Sequence, residues 1–343
     1  MLRMFFTVSL LCLSSLTSFS RVAQGAESVD GWIVWHRGDR REDARREIWL
    51  MKADGTLPSS LTNDGGRQPS WSPGGRWIAY HHYRDDSGHV VRPDGSNDRR
   101  ICTGRPVFWL DDSQVVCENG ATYRRVDALT GIDRLLLRTT DLPALEGRYL
   151  KLGGVTSDLR YAIGASNRYR RRYKGANGSF KAYHAAVVVD LEEPSRVFAI
   201  GAGCEPTLSP SGDTIFHVRA DGPQKPDIYS VALEDVLRSD YVAMRDSLSY
   251  APRAAYPDDD WGHEYFPRVS AGDDGAWITY SATTLQIDRS EICHDHELCN
   301  YQIFAHRLAG PTGNRIQLTD NQDVNAWAHL WVGELPPIDS TQP

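Results

Sequence analysis

Four side chains in the last third of the chain have donor types that suit a divalent cation. His263 and Glu264 stand in Gly262-His263-Glu264-Tyr265, and His294 and His296 in Cys293-His294-Asp295-His296-Glu297-Leu298-Cys299. Imidazole and carboxylate together fit an ion such as zinc or manganese, and a bridge between Cys293 and Cys299 would hold both loop histidines in place. The spacing is not in itself a zinc signature. A His-x-His loop also serves as a polar turn, with its carboxylates only accepting hydrogen bonds, and both readings stand at this point. Other catalytic patterns are absent: the chain has no Gly-x-Ser-x-Gly elbow, no His-Glu-x-x-His and no phosphate-binding glycine loop. Whether the two histidine segments meet depends on the elements that carry them.

Those elements come from a repeat. Pro69-Ser70-Trp71-Ser72-Pro73-Gly74-Gly75-Arg76-Trp77-Ile78-Ala79-Tyr80 reads as strand, tight turn and strand, and residues 206–217 match it position for position. Weaker copies occupy residues 106–117, 153–164 and, with two additional turn residues, 267–280. Self-similarity at a period of roughly 40 to 60 residues in strand phasing is the sign of small antiparallel sheets arranged as a repeat. A sixth copy is split. Ala328-His329-Leu330-Trp331-Val332 supplies its first strand, and Gly31-Trp32-Ile33-Val34-Trp35-His36 aligns with the second strand of the clearest copy. Pairing the two closes a ring and removes two exposed sheet edges. The expected fold is all-β, a six-bladed β-propeller over residues 26–336 closed by its N- and C-terminal strands, with 337–343 as a short tail. Trp32, Trp49, Trp77, Trp277 and Trp331 fall on positions expected to pack between blades, and Ser72 and Ser209 on structural turns.

This pattern resembles the bacterial WD40-like repeat known as PD40, found in the propeller domain of TolB and related exported proteins. The resemblance covers nearly all of the chain after its leader and implies a TolB-like ring. It departs from TolB at one end, because that family carries an α/β domain before its propeller, whereas here the repeats begin almost directly after the leader. One such fold hosts many activities, so function has to be read from the site.

In a propeller, the connection into each blade and the loop between its second and third strands share one face. The insertions at residues 37–46, 81–88, 166–181 and 247–262 all fall there, and long loops gathered on a rigid scaffold are where binding resides. The same face carries the channel mouth, lined by residues just before each inner strand: Arg67 and Gln68, Arg105, Arg148 and Tyr149, Glu205, His263 and Glu264, and Asn325 with Trp327. By the same topology His263 and Glu264 emerge beside His294 and His296, which makes these four the expected metal ligands. Arg40, Arg41, Arg45 and Arg46, with Arg170, Arg171, Arg172 and Lys174, oppose Asp258, Asp259 and Asp260. That field favours an anionic ligand or an acidic partner, unless the arginines pair with neighbouring acids.

Met1-Leu2-Arg3, an apolar run over residues 4–16 and Ala23-Gln24-Gly25 read as a secretory signal peptide over residues 1–25, too short for a comfortable membrane span. No second apolar run of membrane length follows, and a periplasmic or secreted protein is expected. A net charge of -7 argues against nucleic acid as a partner. Of the 6 cysteines, Cys12 belongs to the leader; the others are expected as Cys102–Cys117 and Cys293–Cys299 bridges, with Cys204 left over. The expected function is a non-enzymatic exported scaffold that binds another exported or envelope protein, or a ligand, at the channel mouth. The alternative is a metal-assisted enzyme acting on an anionic saccharide, in outline like the propeller polysaccharide lyases. It requires His263, His294 and His296 to converge on a divalent ion.

Overall fold

The computed structural model describes residues 30–38, 46–63, 65–145, 148–174, 180–219, 227–238, 264–271, 276–283, 301–308, 315–321 and 323–337. In chain order its strands are β1 (Gly31–Gly38), β2 (Glu47–Lys52), β3 (Ser59–Ser60), β4 (Gly66–Trp71), β5 (Ile78–His82), β6 (Ser87–Val91), β7 (Arg99–Thr103), β8 (Arg105–Trp109), β9 (Gln114–Asn119), β10 (Thr122–Asp127) and β11 (Asp133–Arg138). There follow β12 (Leu150–Val155), β13 (Tyr161–Lys174), β14 (Phe180–Asp190), β15 (Val197–Leu208), β16 (Thr214–Arg219), β17 (Asp227–Ala232), β18 (Glu264–Ser270), β19 (Trp277–Thr283), β20 (Tyr301–Arg307), β21 (Arg315–Gln317) and β22 (Val324–Val332). Four blades are separate sheets, ordered β22-β1-β2-β3, β4-β5-β6-β7, β8-β9-β10-β11 and β18-β19-β20-β21. The remaining sheet, β12 through β17, holds two blades. Its β15 pairs with β14 over residues 197–202 and with β16 over residues 203–208, so one strand is the rim of the fourth blade and the inner strand of the fifth. The architecture is a six-bladed, nearly all-β propeller.

The repeat turns explain why these residues form these hairpins. In Ser72-Pro73-Gly74-Gly75, proline fixes the first central position and the Gly75 N–H donates to Ser72 O at 3.0 Å, with Gly75 at φ +70°. Ser72 Oγ accepts the N–H of Trp77 at 3.2 Å, and in the fifth blade Ser209 Oγ accepts that of Thr214 at 3.0 Å. Both serines close turns. Two segments expected as loops are largely strand. Residues 166–174 and 180–181 are strand, paired as far as Lys174 with Phe180, and His81 and His82 pair with Gly88 and Ser87. Tyr169, Tyr173, Phe180 and Tyr183 give the first of these a strand preference despite its charge.

Ring closure follows the split repeat. β22 pairs with β1 through Trp32–Trp331, Ile33–Leu330 and Val34–His329, and forms the inner edge of the closing blade. Apolar layers hold that blade on both flanks. Ile33, Trp35, Met51 and Leu330 pack with Trp277 and Ile303 of the sixth blade, and Val34, Ile48 and Leu50 with Trp71, Ile78 and Tyr80 of the second. Trp35 and Trp277 are fully buried; burying a ring of that size contributes about 4–6 kcal/mol before the entropy of ordering is subtracted.

Two histidines stitch the seam to the second blade. His36 Nδ1 accepts the N–H of Gln68 at 3.2 Å, and His329 Nδ1 accepts that of Trp71 at 3.0 Å. Acceptance requires neutral rings. Burial, with Arg46 and Arg67 nearby, holds His36 well below the usual histidine range, and burial with Arg268 nearby brings His329 down to about 3. A disulfide joins Cys102 on β7 to Cys117 on β9, tying the second blade to the third as the spacing predicts. Gly88 makes room for it, since a Cβ there would run into Cys102 Sγ. Cys204 is the free thiol among the described residues, pushed up to about 12 by burial. Cys293 and Cys299 lie outside the described residues.

Candidate functional site

Every inner strand shifts register at the same point of the repeat. The shift falls between Arg67 and Ser70 in β4, Pro106 and Phe108 in β8, Leu152 and Gly154 in β12, Cys204 and Thr207 in β15, and Tyr265 and Arg268 in β18; in β22 it lies opposite Val34 and His36. A bulge releases one residue from the ladder and re-aims its side chain. The residues just before the proline site of each copy, at or beside the shift, are Gln68, Arg105, Leu152, Glu205, Phe266 and Trp327; Arg105 and Leu152 stay paired, with Glu118 and Gly164, and the shift there falls on Val107 and Gly153. Four of the six take left-handed backbone, with φ +50° at Gln68 and Glu205 and +59° at Phe266 and Trp327. Non-glycine residues adopt that region uncommonly, so its recurrence at one repeat position is a property of the fold.

Gln68, Arg105, Leu152, Glu205 and Trp327 line one open cleft, joined by Lys151 and Arg268, that encloses about 370 Å³ counting the open space above it. Phe266 stacks on Trp327 with 4.1 Å between ring centroids. Cations and carboxylates pair around this aromatic surface. Arg105 Nε donates to Glu118 Oε2 at 2.6 Å while its Nη1 donates to Gln68 Oε1 at 3.1 Å, and Lys151 Nζ donates to Glu205 Oε1 at 2.7 Å. Arg268 differs from the other two. Its guanidinium carbon lies 5.6 Å from the centroid of the Trp327 ring, and its buried Nε has no hydrogen-bond partner among the described residues. Burial lowers the Arg268 pKa against the pull of Glu205. Lys151 Nζ is 5.3 Å from the same ring. Such cation–π contacts contribute about 0.5–2 kcal/mol each. Arg105 and Lys151 are thus each held by a carboxylate, while Arg268 adds a third cation beside the Trp327 ring.

The other sequence-predicted residues are more scattered. Arg67 lies over the Tyr83 ring at 4.1 Å, and Arg148 is exposed. Tyr149 meets His184 edge-on at 5.6 Å, and burial together with Glu205 and Glu118 pushes its hydroxyl up to about 12, which sets it near the cleft's charges. Asn325 is buried: its Oδ1 accepts from Trp35 Nε1 at 3.2 Å and its Nδ2 donates to Asn321 Oδ1 at 2.8 Å. Glu264 is also buried and accepts the Ile228 N–H at 3.4 Å. His263, His294 and His296 lie outside the described residues, as do Arg40, Arg41, Arg45 and Asp258 to Asp260. Sequence reasoning missed Lys151 and Arg268. Lys151 occupies the repeat position of Arg67, two before the proline site, and that alignment was the signal for it.

No family model matches the chain, and no curated protein matches its sequence. Solved structures match it in fold. The crystal structure of TolB from Acinetobacter baumannii superposes with a TM-score of 0.56 at 14% identity, over 90% of this chain and 68% of that one. Hydrazine synthase from Kuenenia stuttgartiensis gives a TM-score of 0.53 at 10% identity, over 91% of this chain and 48% of that one. At these identities the likeness is one of architecture: the chain has a TolB-like β-propeller fold.

Proposed function

We propose that this chain is an exported binding propeller whose channel mouth takes a carboxylate-bearing segment of another exported or envelope protein. The observation that carries this reading is the convergence of the bulge residues with Lys151 and Arg268 in one cleft. An incoming carboxylate would meet the guanidinium of Arg268 and compete with Glu205 for Lys151, while an apolar neighbour would lie on Trp327, which Phe266 backs from behind. The signal-like leader and the Cys102–Cys117 disulfide support an oxidising compartment outside the cytoplasm. Among the described residues no helix is long and apolar enough to cross a membrane. The enzymatic alternative rests on His263, His294 and His296, which lie outside the described residues.

Calorimetric titration with a panel of short acidic peptides and with uronate oligosaccharides tests the proposal. Peptide binding that weakens about tenfold or more in Arg268→Gln and in Trp327→Ala, a loss of about 1.4 kcal/mol, is the expected result. Saccharide binding without peptide binding would replace the protein partner, and binding indifferent to both substitutions would remove the cleft from the function.

A further inference from the structure

The second blade carries a cluster that the cleft does not use. In the β5–β6 ladder Tyr80 pairs with His89 and His82 with Ser87. Residues two apart on a strand share a face, so Tyr80, His82 and His89 project from one side of the blade, at the end where β5 turns into β6. The turn brings Asp85 back toward them. One candidate ligand atom from each of His82, Asp85 and His89 lies within 4.8 Å of the others, and the two imidazole centroids are 5.1 Å apart.

The surroundings point the same way. Asp85 Oδ1 lies 2.6 Å from His82 Nδ1 and accepts from Ser87 Oγ at 2.5 Å. His89 Nδ1 lies 3.0 Å from Asp98 Oδ1, and Asp98 is itself fixed by the Tyr80 hydroxyl at 2.7 Å. An ionised carboxylate only accepts, so His89 donates from Nδ1, and Nε2 is the nitrogen left to take an ion. That Nε2 is buried and has no hydrogen-bond partner among the described residues, whereas buried polar atoms ordinarily have one. A carboxylate that fixes one imidazole nitrogen and leaves the other open is the arrangement that orients metal-binding histidines.

We propose that His82, Asp85 and His89 bind a divalent transition-metal ion, with Asp98 and Tyr80 as positioning residues for His89. Two imidazoles and one carboxylate suit zinc and its first-row neighbours, whereas calcium and magnesium take shells of oxygen. Tetrahedral zinc holds its donors about 3.3 Å apart, so a set already within 4.8 Å needs side-chain adjustments of about 1–2 Å to take the ion. Three protein ligands leave one position to water or to a carboxylate arriving on the same face. The neighbouring His81, which pairs with Asp86 at 2.9 Å, points to the opposite side of the strand and serves as an internal control.

The test uses the untagged mature protein, stripped of metal by a chelator and titrated with Zn²⁺ by calorimetry and with Co²⁺ by visible absorption. Wild type should take up about one equivalent more zinc than the His82→Ala/His89→Ala double variant and give the intense bands of tetrahedral Co²⁺. Asp98→Asn, which removes no ligand, should weaken zinc binding about 10–100-fold, and His81→Ala should leave it unchanged. Equal zinc uptake by wild type and double variant overturns the proposal, as does a loss matched by His81→Ala. Should the double variant fail to fold, a wild-type Co²⁺ spectrum identical to that of the aqueous ion overturns it as well.

Discussion

Acidification should loosen the seam between the closing blade and the second blade, and His329 sets the size of the effect. Its Nδ1 accepts the Trp71 N–H, and the folded ring stays neutral down to about pH 3. In the unfolded chain a histidine titrates near 6.5, so between these values the unfolded state binds a proton that the folded state does not. The stability contribution is therefore complete above about pH 6.5 and is lost as pH falls toward the folded value. The slope approaches 1.36 kcal/mol per pH unit, and integration from about pH 7 to about pH 4.5 gives a loss of about 2.5 kcal/mol from this one side chain. That figure is set by the unfolded histidine, because the folded one remains neutral across the window. Carboxylates held low, such as Asp54 and Asp213, lose their contribution only below the unfolded value of about 3.9 and add little here. His36 and His81, both depressed, act in the same direction as His329. The assay is urea unfolding at several pH values on wild type and His329→Gln, whose amide oxygen can accept the Trp71 N–H without titrating. Wild type should lose about 2.5 kcal/mol more than the variant over the window; parallel curves would refute the reasoning.

Gly75→Ala should destabilise the protein by about 1–3 kcal/mol, because residue 75 stands at φ +70° with its Cβ position against the Trp331 ring. In a Trp331→Ala background part of that cost should vanish, and thermal melts of the four proteins measure the coupling; strict additivity would remove the contact from the account. Replacing both Cys102 and Cys117 by serine should cost about 3 kcal/mol for a bridge of sequence separation 15. Denaturation of the wild-type protein with and without reductant checks it, and coincident curves would contradict the bridge.

Ring and closure were legible because a propeller writes its geometry into sequence repeatedly. The paired strands and Pro-Gly turn of residues 69–80 recur, and the half-repeat around Trp331 has its complement around Trp32. Repeat phasing also found Gln68, Arg105, Glu205 and Trp327, which the cleft brings together. Arg268 escaped because it follows the proline of its repeat. Strict two-residue alternation, carried through the bulge between Tyr265 and Arg268, loses its phase there. The cluster of His82, Asp85 and His89 escaped for another reason. Residues 81–88 read as an insertion, and only the register of Tyr80 with His89 shows that two histidines seven apart share a face. The strands at residues 166–174 and 180–181 read as loop because arginines and lysines outnumber the aromatics Tyr169, Tyr173 and Phe180 there and no two-residue alternation shows.

The bulges set a few side chains at the cleft apart from the pairs that hold the blades together. On β4, β15, β18 and β22 the residue before the proline site is released from the ladder, so its side chain can be exchanged without breaking a cross-strand pair, and left-handed backbone there disfavours chiefly β-branched residues. Gln68, Glu205 and Trp327 thus form a set of exchangeable positions around the axis, filled here by an amide, a carboxylate and an indole. Duplicated copies of such a gene could diverge at these few codons, with the blades between them kept as a common chassis.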